Sequence, residues 1–318
     1  MLKSQDKENE FTVIRDYFSD IGLDYLEDQG IKLSVGDDAS VIKVPPTKEQ
    51  VVSVDTSIEG VHFPKSMKAE DIAYRSVAVA LSDLAACGAS PAWFTLAISL
   101  KEINHKWLSN FKKGLQDISK EFAFPLIGGD TTKGNLCITV QVAGYVDIGK
   151  TITRSGAKIG DLIYVTGTVG DASLGLRAFN EKSSSKFSEY VKKFSRPKAR
   201  IGVGEKLLKV ASSSIDISDG LIQDLNQICV VNGVGANVFL KKIPSNVPNS
   251  ELANLINSGD DYEICFTAQE SFQDTIDIIS RDLGVPIKCI GEIIEGKGVK
   301  VVSESLNPIQ VKSGYKHF

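Results

Sequence analysis

Eight aspartates stand at expected strand ends or beside glycine: Asp37, Asp38, Asp55, Asp130, Asp216, Asp219, Asp260 and Asp261. A ninth, Asp83, is the only formal charge between Val77 and Pro91, inside an alanine-rich stretch. Taken singly, each is what an ordinary turn or helix cap requires. Taken as a set they conflict. Two carboxylates 4 Å apart repel by about 1 kcal/mol in water and by about 4 kcal/mol in a partly dry site. Gathering several without a cation therefore drives protons onto them or forces the chain apart. Hard divalent cations resolve the conflict, and magnesium, which binds through carboxylates, waters and substrate phosphates, is the usual partner at phosphoryl-transfer sites. The glycines allow the sharp turns that bring a short Asp side chain to a ligand lying against the main chain. The constellation reads as a magnesium and nucleotide site.

The elements that must carry these residues follow from periodicity. Asp71 to Gly88 predicts a buried helix, opened by a capping Asp71 and closed by Gly88, with Asp83 as its one charge. A lone ionised carboxylate in such a layer needs a cation or several donors beside it. Helical spacing recurs at Glu10–Phe18, Trp107–Phe122, from Gly170, at Lys198–Ala211, Leu221–Val231 and Ser271–Leu283. Strands are expected at Ala39–Val44, Val51–Thr56, Trp93–Leu100, Leu136–Val146, Leu162–Thr166, Ser214–Ile217 and Ile264–Thr267, with two more near the end and a polar loop at Glu181–Ser188. Mixed order without strict β-α-β alternation indicates an α+β protein of two domains, 1–149 and 150–318, the boundary falling near Gly149.

Composition narrows the chemistry. A chain of 318 residues, 42% hydrophobic, can bury two cores. The net charge of −4 and the want of a basic tract interleaved with aromatics argue against nucleic acid as a partner. Five cysteines without a Cys-x-x-Cys pair and only three histidines argue against zinc and against a disulfide framework, and fit a reducing cytoplasm. No apolar run reaches spanning length, and the polar start is neither a signal peptide nor an anchor.

One motif misleads. Gly144 to Thr151 matches Gly-x4-Gly-Lys-Thr letter for letter, yet a P-loop needs a helix directly after it, and Ile152-Thr153-Arg154-Ser155-Gly156 is β-branched and then turning. For Arg154 a solvated surface role and a phosphate contact both stand open, as do surface and substrate-binding roles for His62.

In order along the chain stand Gly36-Asp37-Asp38, Asp55-Thr56, Leu81-Ser82-Asp83-Leu84-Ala85-Ala86, Gly128-Gly129-Asp130-Thr131-Thr132, Thr153-Arg154-Ser155-Gly156-Ala157, Ile215-Asp216-Ile217-Ser218-Asp219-Gly220-Leu221 and Asp261-Tyr262-Glu263. With these motifs the chain, from about Phe11 to Phe318, resembles the thiamine-monophosphate kinases, a family within the aminoimidazole-ribonucleotide-synthetase-like superfamily. The resemblance implies the two-domain α+β architecture of that superfamily, with mixed sheets and flanking helices in each half. It implies a homodimer that transfers the γ-phosphate of ATP to thiamine monophosphate, giving thiamine diphosphate. Carried over motif by motif, Asp38, Asp55, Asp83, Asp130, Asp216 and Asp219 would hold several Mg2+ ions, with Ser53 and the Val54 carbonyl as lesser ligands. Gly129, Asp130, Arg154 and Ser218 would touch ATP, and His62, Asp260 and Tyr315 the thiamine phosphate. Asp83, Asp130 and Arg154 would be the residues closest to catalysis. Two positions depart from the family: Asp260 stands where Glu is common, and Val54 where Thr is frequent.

Overall fold

The computed structural model describes residues 9–181, 188–247 and 249–315. Of the polar loop expected at Glu181–Ser188, residues 182–187 lie outside them. The chain divides into two compact units, one taking the chain up to Ala80 with Pro91–Tyr145, the other Leu81–Ser90 with the chain from Val146 on.

In the first unit α1 (Glu10–Val13) runs on into a π turn over Ile14–Phe18, and a two-stranded ladder joins β1 (Ile31–Leu33) to β2 (Val41–Ile42). The strand expected over Ala39–Val44 contracts to those two residues, because Gly36 turns the chain at φ +112° just before it and Pro45 has no N–H to extend the ladder. Next come β3 (Lys48–Ile58), α2 (Ala69–Cys87), whose residues from Leu81 on belong to the second unit, β4 (Ser90–Leu100), α3 (His105–Phe122), β5 (Leu126–Lys133) and β6 (Cys137–Asp147). The last four strands of this unit form one sheet in the order β3-β6-β4-β5. β4 and β5 are parallel, which sets Leu96 beside Gly129 and Ala97 beside Asp130.

α2 begins at Ala69, so Asp71 falls inside its first turn rather than at the cap, where its charge still suits the helix dipole. Gly88 closes it at φ +72°. α3 packs against α2 so closely that a Cβ at Gly114 would strike the Glu70 carbonyl, and the Tyr74 hydroxyl donates to Glu121 at 2.8 Å. β6 passes into a turn at Asp147–Lys150 and then irregular chain, so no helix follows the Gly-Lys-Thr letters.

The second unit contains β7 (Leu162–Thr166), α4 (Asp171–Asn180), α5 (Ser188–Ser195), α6 (Ile201–Leu207), β8 (Ser213–Asp216), α7 (Leu221–Asn232), β9 (Gly235–Phe239), α8 (Asn249–Leu255), β10 (Ile264–Ala268), α9 (Gln273–Leu283), β11 (Ile287–Ile294) and β12 (Gly298–Val302). Its six strands order as β12-β9-β11-β7-β10-β8, antiparallel except for β12 with β9. The helix expected over Lys198–Ala211 is only the short α6: Arg200 is its N-cap, outside helical geometry at φ −86°, ψ 43°, and beyond Leu207 the chain turns, with the Val210 and Ala211 N–H groups both donating to the Leu207 carbonyl. β9 was absent from the expected strands. The core is made by Ile163, Val165, Ile215, Leu225, Val238 and Cys265 with their neighbours. Among the described residues no helix is long and apolar enough to cross a membrane.

Candidate active site

In the first unit the Gly36-Asp37-Asp38 and Gly128-Gly129-Asp130 segments line one cleft of about 640 Å³. Two sequence-distant motifs thus meet. Ser40 helps fasten them, its Oγ donating to the Ile127 carbonyl. The Asp37 carboxylate accepts the Asp38 N–H at 2.8 Å, and the Asp130 carboxylate, on β5, accepts the Thr131 N–H at 2.9 Å, so each acid folds back on the residue that follows it. Asp37, Asp38 and Asp130 are exposed along this cleft. Gly129 lies so close to the Leu96 carbonyl of β4 that any Cβ would overlap it. Glycine there lets Asp130 follow directly on the paired strand while the main chain stays open to a ligand.

Ser53 and Asp55 are half-buried on β3, while Val54 points the other way and is 61% exposed, as strand alternation requires. His62 sits in the turn after β3, where its Nδ1 accepts the Ile58 N–H at 3.0 Å. That bond holds the ring in one orientation. Asp55, Ser53 and His62 belong to the first unit but not to the lining of the 640 Å³ cleft.

In the second unit Asp83, Asp216 and Arg154 act on one thiol. Cys87 is pushed up to about 11, first by burial, then by the negative charges of Asp83 and Asp216, with Arg154 opposing them. Asp83, Asp216 and Arg154 thus all lie within electrostatic reach of Cys87. Arg154 is exposed on a loop tied down at both flanks: Ser214 N–H donates to the Thr153 carbonyl at 3.0 Å, and Asn232 donates to the Arg154 carbonyl at 2.8 Å while accepting the Gly156 N–H at 2.7 Å.

Ser218, Asp219, Asp260 and Tyr315 come together through the backbone. Asp260 N–H donates to the Ser218 carbonyl at 2.8 Å, and Tyr315 N–H to the Asp219 carbonyl at 3.1 Å. Gln223 bridges further, donating to the Tyr315 carbonyl at 2.8 Å and to the Asp219 carboxylate at 3.3 Å. Asp260 and Tyr262 both adopt left-handed backbone, φ +67° and +50°, with the Tyr262 hydroxyl donating to Asp260 at 2.9 Å. Two non-glycine residues held there on either side of Asp261 mark a strained, over-determined corner of the kind found at ligand sites.

Three residues emerge that sequence reasoning did not single out or placed differently. Asp224, buried, accepts the N–H groups of Ser218, Asp219 and Gly220 on one oxygen at 3.0–3.1 Å. The Leu221 N–H donates to the Ile256 carbonyl at 3.0 Å, and Asn257 accepts the two that follow, from Ile222 at 2.9 Å and Gln223 at 3.1 Å. Together they hold the loop that carries Ser218 and Asp219. Asp261, counted above with the acidic constellation, instead caps α4, accepting the Gly170 and Ala172 N–H groups at 2.8 and 3.3 Å. Burial pushes Asp224 up to about 7 and Asp261 up to about 8, the backbone donors in each case pulling the other way.

Among the described residues no group of three or more His, Cys, Asp or Glu side chains is closed around a point where a metal ion would sit. The donor chemistry is nevertheless that of a hard cation: carboxylate oxygens, exposed in the first unit, with room for phosphate and water. Magnesium is usually bound through one or two carboxylates plus substrate oxygens rather than in an all-protein cage, so these residues fit it.

Residues 36–146 match the family description "AIR synthase related protein, N-terminal domain", and residues 158–304 the corresponding C-terminal domain. The thiamine-monophosphate kinase of Escherichia coli strain K12 is 38% identical over 322 residues, covering 97% of this chain and 98% of that protein. A crystal structure of thiamine-monophosphate kinase from Stenotrophomonas maltophilia K279a superposes with a TM-score of 0.82 at 34% identity, covering 89% of this chain and 96% of the other. AaThiL complexed with AMPPCP and TMP gives a TM-score of 0.77 at 26% identity, covering 90% and 92%. The ordered motifs, the two domains and these likenesses agree, and the chain belongs to the thiamine-monophosphate kinase family of the AIR synthase related proteins.

Proposed function

We infer that the protein phosphorylates thiamine monophosphate with ATP, giving thiamine diphosphate and ADP. The observation that carries this is the near-full-length likeness to thiamine-monophosphate kinases, together with a related structure holding AMPPCP, an ATP analogue, and TMP.

The residues divide the work as follows. In the first unit Asp38, Asp55 and Asp130, with Ser53 and the Val54 carbonyl, are the proposed magnesium ligands; in the second, Asp83, Asp216 and Asp219 are. Gly129, Asp130, Arg154 and Ser218 are assigned to ATP, and His62, Asp260 and Tyr315 to the thiamine phosphate. Bound magnesium supplies positive charge on the phosphate oxygens, which an acidic protein otherwise lacks. Arg154 adds a fixed guanidinium suited to phosphate oxygens. His62, its Nδ1 engaged by the Ile58 N–H, presents its ring in one orientation to the substrate. Asp224 and Asn257 keep the Ser218–Gly220 main chain in one shape, so that positioning costs nothing at the moment of transfer.

No general base is needed. The acceptor is a phosphate monoester whose second pKa lies near 6, so at neutral pH its attacking oxygen is already anionic. Catalysis is then positioning and charge neutralisation around a loose in-line transition state, with no phosphorylated protein between donor and product.

We further propose a cytoplasmic homodimer. β3 is an edge strand of eleven residues exposing Val52, Val54 and Ile58, at 48%, 61% and 40%. A long edge with apolar side chains outward is a surface that proteins normally cover. The function is tested by incubating the protein with ATP, magnesium and thiamine monophosphate: ADP should form only when thiamine monophosphate is present, with an equal amount of thiamine diphosphate. ADP release without thiamine diphosphate would overturn the reading.

A further inference from the structure

One side chain of the second unit joins the segment that carries Tyr315 to the turn that carries Asp219. Residues 309–315 lie outside helix and strand, so the course of this segment is set by whatever partners its main chain finds. Ile309 and Val311 pack against the core. Beyond them three hydrogen bonds take over. Asn257 Nδ2 donates to the Lys312 carbonyl at 3.0 Å, the Tyr315 N–H donates to the Asp219 carbonyl at 3.1 Å, and Gln223 Nε2 donates to the Tyr315 carbonyl at 2.8 Å.

Gln223 is the third residue of α7, a position from which a Gln commonly turns back to cap its own helix. Here the amide nitrogen, which carries two hydrogens, serves two other acceptors: the Tyr315 carbonyl, and the Asp219 carboxylate at 3.3 Å. The segment also lies hard against this side chain, because a Cβ at Gly314 would overlap both Gln223 Oε1 and the Asp219 carbonyl oxygen. The N–H of Gln223 is held in turn by Asn257, the same residue that holds Lys312. Two amide side chains thus clamp the start of α7 and the segment together. Tyr315 is 42% exposed, so burial alone does not set where it stands; the bonds to its N–H and its carbonyl do.

Resting on the kinase reading above, we propose that Gln223 is a positioning residue for the phosphate acceptor: by tying Tyr315 to Asp219 it fixes the thiamine-phosphate contact relative to a residue assigned to metal. Gln223 is itself assigned above to neither ATP, thiamine phosphate nor metal. A contact held ready needs no ordering when the substrate arrives, so loss of the tether weakens the acceptor's binding and spares that of ATP.

Steady-state kinetics with each substrate varied in turn test this on Gln223→Leu, which keeps the bulk and removes the donor, and on Gln223→Glu, which keeps the shape and puts an acceptor in the donor's place. Each should raise KM for thiamine monophosphate about five- to tenfold, the worth of one or two hydrogen bonds, and hold KM for ATP within about twofold. A general loosening of the fold would move both. Tyr315→Ala removes the side chain being positioned, so adding Gln223→Leu to it should raise KM for thiamine monophosphate no further. Hydrogen–deuterium exchange of the substrate-free protein should be faster over residues 312–315 in Gln223→Leu than in wild type. An unchanged KM for thiamine monophosphate, an equal rise for ATP, or the full further rise in the Tyr315→Ala background would overturn the proposal. A wild type that forms no thiamine diphosphate defeats the kinase reading itself, and exchange then judges the tether alone: equal rates over 312–315 in wild type and Gln223→Leu would remove it.

Discussion

The carboxylate of Asp224 lies 3.1 Å from the backbone nitrogen of Asp219, and the same oxygen takes the N–H groups on either side of it. One buried acid thus sets the shape of the loop presenting two residues assigned to ATP and metal. Removing it in Asp224→Ala leaves three N–H groups without their acceptor, at about 1–3 kcal/mol for each that stays buried. Asp224→Asn keeps an acceptor. Chemical denaturation and steady-state kinetics should show the alanine variant destabilised by several kcal/mol with kcat reduced, and the asparagine variant closer to wild type in stability. Equal stability of wild type and Asp224→Ala would remove this role.

Asp261 sets a pH dependence. Its folded value, about 8, lies above its ordinary value of 3.8, so the folded protein holds a proton there that the unfolded chain releases. Stability from this group is complete below pH 4 and is lost as pH rises toward 8. Asp224, at about 7, acts in the same direction over a narrower window. Urea melts of Asp261→Asn between pH 5 and 9 should show a flatter stability profile than wild type; an unchanged slope would contradict the assignment.

Arg200 and Glu263 form a buried ion pair, their side chains 20% and 8% exposed. Arg200→Ala strands a carboxylate that Thr166 alone cannot satisfy, and should cost about 3–5 kcal/mol. The double variant Arg200→Met/Glu263→Leu should recover much of that loss in thermal melts. A double variant no better than the single would show that packing, not charge, dominates.

At Gly129 a Cβ would overlap the Leu96 carbonyl, so Gly129→Ala must push β5 away from β4 beside Asp130. Thermal melting should fall, with a cost of about 1–3 kcal/mol, and turnover should fall further than stability alone explains. Asp130→Asn, by contrast, should melt as wild type and lose turnover even at saturating magnesium.

The homodimer proposal rests on β3. Val52→Lys places a charge on its exposed apolar row, and light scattering should show weakened self-association. A wild type that is monomeric at micromolar concentration would refute the dimer outright.

Where hydrophobic periodicity was long, the sequence was readable: α2 is apolar around nearly its whole circumference and ends at a glycine, and its expected bounds differ from the structure by one or two residues. Short elements were not. β9, Gly-Ala-Asn-Val-Phe, has neither length nor alternation enough to stand out. Residue type alone suggested metal and phosphate chemistry for the acidic motifs, but gave no sign that Asp38 and Asp130 line a first-unit cleft while Asp83 and Asp216 belong to the second unit, both acting on Cys87. Asp261 looked like its neighbours in the list of acids, and only the fold shows it turned to the α4 N-terminus. Asp224 and Asn257 gave no signal, because a side chain that caps a loop from within a following helix has no fixed spacing.

Direct phosphoryl transfer from ATP to thiamine monophosphate leaves no phosphate on the protein at any stage. Rapid-quench sampling of a single turnover with γ-labelled ATP and magnesium follows the label from donor to acceptor. The account predicts label moving straight into thiamine diphosphate, with none on the protein at any time point. Labelled protein that then passes its phosphate to the substrate, or labelled inorganic phosphate with no thiamine diphosphate, would contradict it.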